Sequence, residues 1–112
     1  MDRQEYREII SEIRSSYRNK DYERVIMFAR ELPAKKIREN NILEMVANAY
    51  DQVGKTSLAR TTLEIVYRRM PNGKQTAYKM AILSLKLDDI ESAVQYKRLR
   101  DRLLIWQEAS SA

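Results

Sequence analysis

Residues 40–73 read NNILEMVANAYDQVGKTSLARTTLEIVYRRMPNG. Ile42, Leu43, Val46, Ala47, Ala49 and Tyr50 recur at steps that place side chains on one face of an α-helix. Leu58, Ala59, Leu63, Val66 and Tyr67 repeat the pattern further on. Between the two sets stands Gly54, the residue type that best tolerates a left-handed exit from a helix. After them, Pro71-Asn72-Gly73 breaks the chain. The spacing predicts two helices, about Lys35–Val53 and Thr56–Met70, joined by a turn at Gly54.

The same periodicity continues on both sides. Upstream, Ile9, Ile10, Ile13 and Tyr17 share a face. Tyr22–Leu32 forms a second apolar-faced segment, with Asp21 placed to cap it and Pro33 to stop it. Downstream, about Lys74–Leu87 is apolar almost all round, and a last segment from Asp89 to about Trp106 carries Ile90, Ala93, Val94, Tyr96, Leu99 and Leu103. No run alternates as a strand would. The expectation is an all-α chain of six helices, a single domain over 1–112, with a frayed tail at 108–112.

A period of 34 residues runs through these segments. Val25, Ala59 and Ala93 are spaced by it; so are Ile9, Leu43 and Ala77, and Ile13, Ala47 and Ala81. Lys20, Gly54 and Asp88 mark the turn within each unit. Leu32, Val66 and Arg100 form a fourth series, in which the last member departs from the apolar class. Small residues recur where two antiparallel helices come closest. No single unit can bury its own apolar face, so stacking into a right-handed α-solenoid is the expected architecture.

The central unit, with Ala47, Tyr50, Gly54, Ala59, Leu63 and Pro71 in place, resembles the tetratricopeptide repeat (TPR) family. Asp21-Tyr22-Glu23-Arg24-Val25-Ile26 and Asp89-Ile90-Glu91-Ser92-Ala93-Val94 resemble the family's second-helix opening in the outer units. The resemblance gives three repeats, about 6–39, 40–73 and 74–107. It implies a protein–protein interaction module whose concave groove, lined by the first helix of each pair, takes a peptide or helix of a partner.

With that phase, the groove candidates are Arg14, Tyr17 and Arg18 from the first unit and Asn48 from the second. The third unit supplies Tyr78, Lys79, Ile82 and Leu85. Arg7, Ile10, Asn41, Glu44, Asp51, Gln52, Gln75 and Lys86 fall on the same face. One subset of the family grips acidic chaperone tails with a clamp of lysines, arginine and asparagines. The corresponding sites here are Ile10, Arg14, Met45, Gln75 and Lys79, and only Lys79 keeps the charge, so that ligand is disfavoured.

The composition excludes several chemistries. The 112 residues contain no histidine and no cysteine, which removes disulfides, thiol nucleophiles, histidine acid–base catalysis and the usual zinc sites. Val53-Gly54-Lys55-Thr56-Ser57 resembles the end of a phosphate-binding loop, but Ala49 stands where the leading glycine belongs and a helix precedes it rather than a strand. Asp88-Asp89 has no desolvated pocket to separate the two carboxyls and reads as a helix cap. Ser15-Ser16 has no base to activate it. The expectation is therefore no enzyme, no cofactor and no metal.

Lys+Arg number 21 against 16 Asp+Glu, a net charge of +5. The densest basic run, Lys97, Arg98, Arg100 and Arg102, is interrupted by Asp101 and also suits the C-terminal end of a helix. This charge supports an alternative as a basic binder of RNA or an anionic surface, although nucleic acid fits poorly without a longer stripe. The apolar last unit supports another alternative, a homodimer through that repeat. Residues 1–10 lack the apolar core of a signal peptide, and no segment approaches the ~20 apolar residues of a membrane span, so cytoplasmic is the default expectation.

Overall fold

The computed structural model describes residues 1–107 in full and the backbone course of 108–111. The fraying expected for 108–112 lies outside the fully described residues. Six α-helices follow one another: α1 (Arg3–Arg18), α2 (Tyr22–Ala29), α3 (Asn40–Gln52), α4 (Thr56–Arg69), α5 (Lys74–Lys86) and α6 (Ile90–Ser111). A 3₁₀ turn at Ala34–Lys36 separates α2 from α3. The described residues form no strand. None of the described helices is long and apolar enough to cross a membrane.

Consecutive helices pair as hairpins, α1 with α2, α3 with α4 and α5 with α6. The turn inside each hairpin has one geometry. Lys20, Gly54 and Asp88 adopt φ of 57°, 84° and 57°. In each, the next residue's N–H reaches back five residues: Asp21 to the Ser16 carbonyl at 2.9 Å, Lys55 to Tyr50 at 2.8 Å, and Asp89 to Ser84 at 2.9 Å. This left-handed exit satisfies carbonyls that the helix end would otherwise leave open. Asp21 and Asp89 then cap the following helix by accepting from the Arg24 and Ser92 N–H groups, while Lys55 supplies no such cap.

The small-residue series sits where close packing requires it. Val25, Ala59 and Ala93 are buried, as are Ile13, Ala47 and Ala81. The first two hairpins share one core, built on Ile13, Val25, Ile42, Leu43, Ala59 and Val66. The third hairpin joins that core through Met80 and Leu83, with Tyr96 packed against it. Tyr96 meets the Tyr67 ring edge-on at 5.5 Å. Arg60 on α4 also donates to Asp89 at 2.7 Å, tying α4 to the start of α6.

Two boundaries differ from the spacing-based expectation. Helix α2 stops at Ala29 rather than Leu32, and α3 starts at Asn40 rather than near Lys35. Pro33, extended at ψ 134°, cannot continue a helix, and Ile37 is extended and almost fully buried. Residues 30–39 are held from both sides. The Tyr6 hydroxyl donates to Glu39 at 2.7 Å and accepts from the Arg38 N–H at 2.9 Å. Arg69 donates to the Lys35 and Arg38 carbonyls and to Asn40.

Candidate functional site

Helix α1 packs directly on α3, whereas α3 and α5 diverge and both lean on α4 instead. That divergence opens a groove of about 430 Å³. Asn41, Glu44, Met45, Asn48 and Asp51 line it from α3, and Lys79, Ile82 and Leu83 from α5. Leu63 of α4 and Ala47 make the floor, and Tyr17 of α1 closes one end. The helical register explains the α3 wall: residues 41, 44, 45, 48 and 51 are three or four apart and share a face.

Two side-chain contacts fix the walls. The Asn48 amide donates to the Tyr17 hydroxyl at 2.8 Å, so one potential ligand group is already engaged in the α1–α3 seam. The Lys86 ammonium donates to Asp51 at 2.6 Å, spanning α5 and α3 at the far end, and Asp51 also accepts from the Thr56 hydroxyl at 3.1 Å. Glu44 and Lys79 have no intramolecular charge partner among the described residues. The open groove therefore offers an apolar floor with one free carboxylate and one free ammonium facing across it.

Of the residues expected in the groove, the structure brings together Tyr17, Asn48, Lys79 and Ile82. Arg14 and Arg18 are exposed on α1 outside its lining. Tyr78 lies under the Arg100 guanidinium, 4.9 Å from the ring centroid, and so faces α6. Leu85 is exposed near the end of α5, also outside the lining. Leu63, read from the sequence only as part of the repeat pattern, and Leu83, which no groove position singled out, also line the groove, because the α3–α5 divergence that uncovers them is a packing outcome.

No group of three or more His, Cys, Asp or Glu side chains is gathered as a metal cage among the described residues. Among the described residues, Asp89 is one of two perturbed carboxyls in the third hairpin, with Asp101, whose pKa is lowered by its hydrogen bonds from Lys97 and Arg100. The Arg60 guanidinium, and then the Ser92 hydrogen bonds, hold the Asp89 pKa below the usual carboxylate value. Asp89 acts as cap and ion-pair partner at the α5–α6 turn rather than in the groove. In comparisons with known proteins, no family model matches the chain, and no curated protein matches it.

Proposed function

We propose that the chain is a three-repeat, right-handed solenoid of the TPR type, and that it binds an extended segment or helix of a partner protein in the α3–α5 groove without catalysing a reaction. The observation that carries this reading is the groove itself: an apolar lining of Leu63, Ile82 and Leu83 flanked by Glu44 and Lys79, which have no charge partner among the described residues. The recurrence of one left-handed turn at Lys20, Gly54 and Asp88 supports the repeat assignment. In this reading Ile82 and Tyr17 supply apolar anchor surface, Lys79 and Glu44 select the polarity of the partner segment, and Asn48 positions Tyr17.

The test is peptide selection by display on the intact chain, followed by calorimetric titration of the selected peptides. Ile82→Ser should weaken binding by about tenfold or more, the expected loss at a buried anchor. Tyr78→Ala, outside the groove, should leave affinity unchanged. Helical content by circular dichroism confirms that both variants fold. Equal affinity for Ile82→Ser and the parent chain would remove the groove as the binding site.

A further inference from the structure

Helix α6 is longer than the helix it pairs with. Its 22 residues against the 13 of α5 correspond to ~33 Å against ~20 Å at 1.5 Å per residue. Because the two run antiparallel from their turn, the C-terminal turns of α6 pass the start of α5 and continue alone. The C-terminal half of α6, from beside α5 into that overhang, is apolar on one side. Leu99, Leu103 and Trp106, at i, i+4 and i+7, form a stripe, and with Asn72 they line a shallow groove of about 670 Å³. Ile105 and Trp106 are 65% and 69% exposed. A stripe that runs from half-buried Leu99 and Leu103 to an exposed Trp106 marks an unfilled contact rather than scattered surface apolarity.

The charges around the stripe restrict what can fill it. Residues 97–102 hold four cations, Lys97, Arg98, Arg100 and Arg102, and one carboxylate, Asp101. Lys97 and Arg100 share Asp101, at 3.0 and 3.1 Å. Arg98 and Arg102 are exposed and have no acceptor among the described residues. The Arg100 Nε is buried with no acceptor either. A second copy of the chain, seated two-fold on the same patch, would bring the same cation-rich surface to the interface, with the one carboxylate of 97–102 already held by Lys97 and Arg100. A partner with carboxylates flanking an apolar stripe would pair them instead.

We infer that the α6 overhang docks an acidic amphipathic helix of a partner protein, its apolar stripe against Leu99, Leu103 and Trp106 and its carboxylates against Arg98 and Arg102. A lone helix with anchors at i, i+4 and i+7 presents ridges that a second helix can fill, which a single extended strand matches less well. The surface is separate from the α3–α5 groove and does not depend on what that groove binds.

Trp106 is the only tryptophan of the chain, so its emission reports directly on this surface. The probes are synthetic helix-forming peptides with one leucine stripe, flanked by glutamates in one and by lysines in the other, titrated into the intact chain at 50 mM salt. The glutamate peptide should shift Trp106 emission to the blue and saturate. The lysine peptide should not. Binding should weaken several-fold at roughly 300 mM salt, as expected for exposed charge pairs. The double variant Arg98→Glu, Arg102→Glu should lose about tenfold for the glutamate peptide and gain the lysine peptide. Ile82→Ser should leave the response unchanged.

No shift with the glutamate peptide, or equal binding of both peptides, overturns the proposal. So does a concentration-dependent dimer with blue-shifted Trp106 in the free chain, which would make the occupant a second copy. A shift produced by an RNA oligonucleotide or anionic vesicles but not by the glutamate peptide would assign the surface to those ligands and overturn it as well.

Discussion

The α1–α3 seam and the α3–α5 seam are built from corresponding positions of successive hairpins, yet one is closed and the other open. At the first, Ile13, Leu43 and Ala47 interlock in a common core and Asn48 bonds Tyr17 across the junction. At the second, α5 reaches the core through Met80 and Leu83, and among the described residues only the Lys86–Asp51 ion pair spans the rim. The turns of the two flanking hairpins are alike in φ and in hydrogen bonding. Turn geometry alone therefore does not fix how closely successive hairpins approach. The side chains at the seam do, and the place where they stop filling it becomes a groove.

Truncating the closed seam should have the largest effect. Ile13 is fully buried, and Ile13→Ala should cost about 2–5 kcal/mol in urea unfolding, a large share of the stability of a domain this size. A cost below about 1 kcal/mol would mean that the α1–α3 contact is as loose as its neighbour. Tyr17→Phe removes one half-buried hydrogen bond while keeping the ring, and should cost about 1 kcal/mol. The loss should be absent when Asn48 is already replaced by Ala, which a double-mutant cycle reads directly.

The electrostatic ties of the third hairpin should matter least. Asp89 has its pKa lowered in the folded chain, so its contribution is present above the ordinary carboxylate value of 3.8 and is lost as pH falls through the lower folded value. Urea midpoints measured downward from pH 5 should drop less steeply in Asp89→Asn than in the parent chain. Parallel curves would show that the Arg60–Asp89 pair contributes nothing to attaching α5 and α6.

Much of this was legible in the residues. The apolar series at Val25, Ala59 and Ala93 locates the closest helix contacts, and all three are buried. The turn series was legible as well, although lysine at position 20 looks unsuited to it. Lys20 nonetheless takes the same left-handed φ as Gly54, because the main-chain bonds at both of its sides fix the exit. The end of α2 was not legible. Arg30-Glu31-Leu32 keeps a helical pattern, yet the helix has already ended ahead of an extended Pro33 and a buried, extended Ile37. Tyr78 and Arg100 illustrate a second limit. Each has a definite place in the 34-residue series, but a cation stacked over a ring pulls Tyr78 toward α6, and periodicity carries no information about that pairing.

The connection between α2 and α3 has an arithmetic consequence. The eight residues of α2 plus residues 30–39 make eighteen, and the fourteen of α4 plus residues 70–73 make eighteen as well. Helix has been exchanged for linker at constant length. The chain can thus lose more than a helical turn from the second helix of one hairpin without moving any later residue out of phase, and the connecting segment, pinned by Tyr6 and Arg69, serves as a strut where the next hairpin uses helix.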